Sequence, residues 1–184
     1  MAEAHRSAPE APLRVATLDG SYFPPSKTSM LLDFAAKELG RHRRISRTEI
    51  GVAELGAGFT SALSRDELAP EVLGQLRAFE TADVVIAGSP VYQGSYTGLF
   101  KHFVDFVEQG ALAGTPVLLV ADGGSDRHLL MIDHELRPLF AFLQAFVVPG
   151  SVFAAAGDFD GLVLVNTGLH KRVRKAVAGL LRLL

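Results

Sequence analysis

Short apolar runs alternate with amphipathic helical segments along this chain, and two of those runs are apolar at nearly every position. Asp83–Ala87 and Pro116–Ala121 lack the polar alternation of a strand with one wet face. Strands of this kind need cover on both sides, as the inner strands of a parallel sheet have. Three further runs rich in branched residues, Leu13–Leu18, Ile45–Val52 and about Val147–Ala155, also read as strands. Helical spacing puts Leu31, Phe34, Ala35 and Leu39 on one face, and Leu99, Phe100, Phe103, Val104 and Val107 on another. The same spacing groups Leu129, Ile132, Leu136, Leu139 and Leu143, and then Leu169, Val173, Val177, Leu180 and Leu184. Residues 54–70 read as a loop carrying Gly56 and Gly58 that leads into a helix near Glu71–Phe79.

Strand and helix in strict alternation predict an α/β doubly wound parallel sheet. Five strands within 184 residues fit the flavodoxin-like order 2-1-3-4-5 with helices on both faces. Residues 1–12 are polar and rich in Ala and Pro and read as a flexible tail, leaving 13–184 as a single domain. Hydrophobic residues make up 48% of the chain, yet no apolar run approaches the roughly 18–20 residues of a membrane span. Nor does the N-terminus show the apolar segment of a signal peptide, so a cytoplasmic location is expected. With no Cys, the chain has no disulfide, thiolate metal site or cysteine nucleophile. No carboxylate–histidine spacing converges on a metal either. A net charge of −2 without a long basic run argues against nucleic acid as a partner.

In such sheets ligands bind beyond the carboxyl ends of the strands, near the point where strand order reverses. After the first strand comes Asp19-Gly20-Ser21-Tyr22-Phe23-Pro24-Pro25-Ser26-Lys27-Thr28-Ser29, followed by a helix. Free N–H groups and the positive dipole end at that helix N-terminus suit an anion. Ser21, Ser26, Thr28 and Ser29 add hydroxyls there, and Lys27 adds a cation. The loop is neither G-x-G-x-x-G nor G-x-x-x-x-G-K-[ST], which disfavours a dinucleotide or a P-loop triphosphate and suits a terminal phosphomonoester. Ser and Thr before a helix are also ordinary N-caps, so the loop taken alone carries both readings.

The third strand ends in Gly88-Ser89-Pro90-Val91-Tyr92-Gln93-Gly94-Ser95-Tyr96-Thr97-Gly98, and the fourth in Ala121-Asp122-Gly123-Gly124-Ser125-Asp126-Arg127-His128. Glycines let backbone approach a flat ligand closely, and Tyr92 and Tyr96 offer aromatic faces. Each loop by itself is also an ordinary strand-to-helix turn. Together, loops after strands 1, 3 and 4 fall on one rim of the sheet. Further on, Pro138 interrupts a helical pattern and cannot donate to the carbonyl of His134, which predicts a kink or π-type bulge around His134.

These residues resemble the NAD(P)H-dependent FMN reductases that supply reduced flavin to alkanesulfonate monooxygenases, in particular the methanesulfonate-linked branch. The matching stretches are GSYFPPSKTS (Gly20–Ser29), ADVVIAGSPVYQGSYTGLFKHFVD (Ala82–Asp105) and GALAGTPVLLVADGGSDRHLLMIDHELRPLF (Gly110–Phe140), within a likeness running from about Leu13 to Asp160. The resemblance implies an FMN site across the three loops and NADH or NADPH as the hydride donor. By position, Ser21, Ser26, Thr28 and Ser29, with Lys27, would hold the phosphate. Pro90, Val91 and Tyr92 would lie along the ribityl chain and ring, and Gly123, Gly124 and Ser125 would meet the isoalloxazine. His134 occupies the position of the family's π-helix residue near the subunit interface, where it would tune flavin binding. A homodimer or homotetramer is implied, with a flavin-dependent monooxygenase of organosulfonate (sulfur) metabolism as partner. The flavin carries the chemistry, so no catalytic acid or base is assigned. Two other readings share the fold: an FMN-retaining quinone, azo or chromate reductase, and a flavodoxin-type electron carrier.

Overall fold

The computed structural model describes residues 11–184, so residues 1–10 of the expected tail lie outside the described residues. Its sheet contains β1 (Leu13–Asp19), β2 (Ile45–Gly51), β3 (Val84–Pro90), β4 (Pro116–Gly123), β5 (Phe146–Val147) and β6 (Val152–Ala155). All pair in parallel, in the order β2-β1-β3-β4-β5, and β6 continues alongside β4 beyond the end of β5. The helices are α1 (Lys27–Gly40), α2 (Ala57–Thr60), α3 (Pro70–Glu80), α4 (Gly98–Asp105), α5 (Arg137–Phe142) and α6 (Thr167–Leu181).

Two-sided burial of β3 and β4 follows from their sequence. Val85, Ala87, Val117, Leu119 and Ala121 face a core built on Phe79 of α3, Phe100 and Phe103 of α4 and Phe140 of α5. The alternate residues Val84, Ile86, Leu118 and Val120 face the other core, built on Leu31, Leu32 and Ala35 of α1 and Val173, Val177 and Leu180 of α6. The period-2 alternation of a strand thus divides an unbroken apolar run between two cores.

Two expectations are corrected. The fifth strand is not one run: Pro149-Gly150 falls between β5 and β6, and proline supplies no N–H for a ladder. Residues 54–70 are not plain loop, since they hold α2 and a 3₁₀ turn at Arg65–Glu67. That segment is tied down by Arg65, whose guanidinium donates to both carboxylate oxygens of Glu80 at 2.6 and 2.8 Å and to the carbonyl of Phe106. A small antiparallel pair, β7 (Phe159–Asp160) with β8 (Val163–Leu164), turns through Gly161 at φ +58°.

The irregularity expected around His134 is a π-helical turn over Ile132–Leu136. Arg137 N–H donates to the carbonyl of Ile132, five residues back, and Pro138 opens α5 in its first turn. The Arg137 side chain fixes the turn from outside, donating to Asp133 at 2.9 Å and to the carbonyl of Val148 at 3.1 Å. Among the described residues, no helix is long and apolar enough to cross a membrane.

Candidate functional site

The carboxyl ends of β1, β3 and β4 lie side by side, so the loops that follow them meet on one rim. Backbone bonds stitch them together: Gly20 N–H donates to the carbonyl of Gly88 at 2.8 Å, and Val91 N–H to that of Asp122 at 2.8 Å. Thr97 joins the first loop to the second. Its hydroxyl donates to the carbonyl of Gly20 at 2.6 Å and accepts from Phe100 N–H as the N-cap of α4. Tyr22 closes the outer side by accepting from Gly98 N–H at 2.9 Å.

Close approach explains the glycines. A Cβ on Gly20 would stand 2.8 Å from Phe100 Cδ2 and 3.0 Å from Ser89 Oγ, and one on Gly88 would stand 2.6 Å from Val120 Cγ2. At Gly123 the Cβ would lie 3.1 Å from the Phe153 ring, whereas at Gly124 it would meet nothing within 4 Å. The rim is therefore packed below and open above at Gly124. Between β3 and α4, Gln93 and Gly94 both take positive φ, +50° and +85°, in a two-residue turn closed by reciprocal Tyr92–Ser95 backbone bonds. This turn brings the Tyr92 ring to 5.2 Å from that of Tyr22 and leaves it 43% exposed. Pro90 and Val91 are half-buried beneath it. From the turn, the Ser95 hydroxyl donates to Glu135 at 3.1 Å, linking the second loop to the π-helical turn. The backbone of His134 lies within that turn and its side chain is exposed.

In the first loop, Ser26 is the N-cap of α1 and forms a reciprocal capping box with Ser29. Ser21 Oγ sits 2.7 Å from Ser26 Oγ. Both hydroxyls also reach the carboxylate of Asp19: Ser21 Oγ at 2.6 Å and Ser26 Oγ at 3.2 Å, with Ser21 N–H donating to it at 2.9 Å. The capping and anion-binding readings of this loop therefore involve the same hydroxyls.

Thr28 and Lys27, both expected at the phosphate, turn their side chains to other partners. Thr28 is fully buried, and its hydroxyl donates to the Asp122 carboxylate beneath the rim. Helical phase carried that signal, because Thr28 precedes the buried Leu31, Leu32 and Ala35 by three, four and seven residues. Lys27 holds its ammonium 5.5 Å from the centre of the Phe159 ring. Asp122 was not anticipated as part of the site. Burial raises its pKa above the usual carboxylate value; the Thr28 hydrogen bond opposes the rise, Asp19 adds to it, and Lys27 opposes it. Nor were the bridging roles of Asp19 and Thr97. Thr97 stands directly before a helix, which is a legible N-cap signal, but its bond to Gly20 depends on the fold.

The fold has close counterparts. An oxidoreductase from Corynebacterium diphtheriae superposes with a TM-score of 0.83 at 31% identity, covering 94% of this chain and 97% of that one. The apo form of the NADH:FMN oxidoreductase EMOB superposes with a TM-score of 0.79 at 28% identity, covering 90% of this chain and 87% of that one. The family model described as NADPH-dependent FMN reductase matches residues 13–160, well over half of the chain.

The chain belongs to the NADPH-dependent FMN reductase family. Among the relatives of this family member is the NADH-dependent FMN reductase SfnF of Pseudomonas fluorescens (strain Pf0-1), 43% identical across 90% of this chain and 88% of its own. The NADH-dependent FMN reductase SfnE of Pseudomonas putida is 44% identical, with 90% and 89% covered. An FMN reductase (NADPH) of Pseudomonas aeruginosa is 40% identical, also with 90% and 89% covered.

Proposed function

We propose that this family member reduces FMN with NADH or NADPH on the three-loop rim and delivers the reduced flavin to a partner monooxygenase. The observation that carries the assignment of the site is the joining of a hydroxyl cluster at the N-terminus of α1 to a glycine-lined rim, open at Gly124, within a chain of this family. These residues fit FMN. Ser21, Ser26 and Ser29 stand where a phosphomonoester would meet hydroxyls and a helix N-terminus. Pro90, Val91 and Tyr92 would form the wall for the ribityl chain and one ring edge. Gly123, Gly124 and Ser125 would bring backbone against the isoalloxazine.

Bound FMN supplies the two-electron chemistry, with NADH or NADPH as the reductant. The protein's part is to hold and orient. Thr97, Gly20 and Gly88 fix the spacing between the first two loops, and backbone N–H groups of the Gly123–Ser125 segment would favour negative charge on a flavin edge held against them. Tyr22 and Tyr92 set an aromatic edge along one side of the rim. Glu135 ties the π-helical turn to the rim through Ser95, and in the segment from Leu129 to Phe146 the side chains of Leu129, Leu130, Phe142 and Phe146 are 47%, 54%, 79% and 63% exposed. These exposed apolar side chains support association into a homodimer or homotetramer, in which His134 of the π-helical turn would tune flavin retention.

Delivery of flavin requires that FMN turn over as a substrate. With a catalytic amount of protein and excess free FMN, NADH or NADPH oxidation under anaerobic conditions is expected to continue until many equivalents of FMN per protein are reduced. Reduction that stops at one equivalent per protein, and resumes only when a quinone is added, would replace this reading with that of a flavin-retaining reductase.

A further inference from the structure

The hydroxyl cluster assigned to the FMN phosphate already serves an anion. Asp19 ends β1 directly beneath it, and its carboxylate accepts from Ser21 N–H at 2.9 Å, from Ser21 Oγ at 2.6 Å and from Ser26 Oγ at 3.2 Å. A carboxylate and a phosphomonoester are both acceptors and both negative, so they compete for the same donors. Each serine hydroxyl has one proton, so two protons serve three contacts, Ser21–Asp19, Ser26–Asp19 and Ser21–Ser26. That leaves no spare proton for a second anion, and Ser26 Oγ also accepts from Ser29 N–H. An arriving phosphate therefore draws hydroxyl protons out of the network that Asp19 anchors and then lies against its charge.

The neighbouring cations Lys27 and Arg47 are drawn to other partners than Asp19. The Lys27 ammonium is directed at the Phe159 ring. Arg47, the guanidinium on the adjoining β2, is bound to Asp33 at 2.6 Å and lies 3.3 Å from Glu49. Asp122, a second carboxylate, lies below the loop and is bonded to Thr28.

We propose that Asp19 is a specificity-determining residue that weakens the hold on the flavin phosphate, so that FMN exchanges instead of remaining bound. The carboxylate occupies the Ser21–Ser26 donors in the free protein and opposes the phosphate in the complex. Like-charge opposition of this kind lowers affinity for the phosphorylated ligand and leaves an uncharged analogue untouched. Discrimination between FMN and riboflavin is accordingly small for a site with this many hydroxyls. The inference rests on the reading that the phosphate binds at this loop.

Equilibrium titration of flavin fluorescence without any nicotinamide nucleotide tests it, with FMN and riboflavin as the two probes. Asp19→Asn keeps the shape and removes the charge; Asp19→Ala removes both charge and acceptor. The expected result is at least tenfold tighter FMN binding by both variants, with riboflavin affinity unchanged within twofold and FMN carried through gel filtration. Equal shifts for the two flavins, or FMN affinity that is unchanged or weaker, would overturn the proposal. Ser21→Ala and Ser26→Ala separate the two levels of the argument. Selective loss of FMN over riboflavin in these variants, with no gain in the Asp19 variants, refutes the role of Asp19 alone. No selective loss in the serine variants refutes the phosphate site and this proposal with it.

Discussion

Replacing Phe100 with alanine is expected to destabilise the protein by about 3–5 kcal/mol, the cost of deleting a fully buried phenyl ring, and to lower the melting temperature by roughly 10 °C. Phe100 is completely buried, with ring centres 5.7 Å from Tyr96 and 6.4 Å from Phe140. Its edge is also the floor of the first loop, since a Cβ on Gly20 would come within 2.8 Å of Phe100 Cδ2. Truncation thus opens a cavity between α4 and α5 and releases the Gly20 turn, so FMN affinity should fall together with stability. Urea denaturation of the wild type, Phe100→Ala and Phe100→Leu checks this, the leucine variant being expected to lose clearly less. A loss below about 1 kcal/mol in Phe100→Ala would show that the ring does not support the loop.

Gly124→Leu should do the reverse, sparing the fold and damaging the site. Nothing lies within 4 Å of a Cβ at Gly124, and its φ is not positive, so the scaffold accommodates a side chain there. Unfolding free energy is expected to stay within about 0.5 kcal/mol of wild type. The leucine would fill the space assigned to the isoalloxazine edge and weaken FMN binding at least tenfold, about 1.4 kcal/mol. Because the ring system is common to both flavins, riboflavin should weaken in parallel, unlike its behaviour in the Asp19 variants. Unchanged affinity for both flavins would move the isoalloxazine away from the Gly123–Ser125 segment.

Much of the architecture is legible in the sequence wherever one local rule decides the outcome. The unbroken apolar runs of β3 and β4 admit only two-sided burial, and Pro138 removes the donor that a regular helix would need at His134. The division of the fifth strand is harder to read, because Val147–Ala155 stays apolar through Pro149-Gly150 and only the lost ladder bonds break it. Helix α2 is four residues long, too short for periodicity to register, and its neighbouring segment is held by the distant Glu80. Within the site, the local rules locate the three loops but not their cross-connections. The capping box of Ser26 and Ser29 is a local pattern; the bond of Thr97 to Gly20 spans 77 residues and that of Thr28 to Asp122 spans 94. Asp19 is the sharpest case. Its role depends on a loop folding back so that Ser21 and Ser26 both meet one carboxylate, and composition carries no trace of that.

Anaerobic stopped-flow absorbance at the oxidised-flavin band, with protein, FMN and either NADH or NADPH, tests the central claim most directly. Rapid bleaching that requires the protein is predicted with at least one nucleotide, and the faster of the two reveals the donor preference that the names of the relatives divide between NADH and NADPH. FMN that binds yet is bleached by neither nucleotide would contradict the account and leave an electron carrier on the same fold.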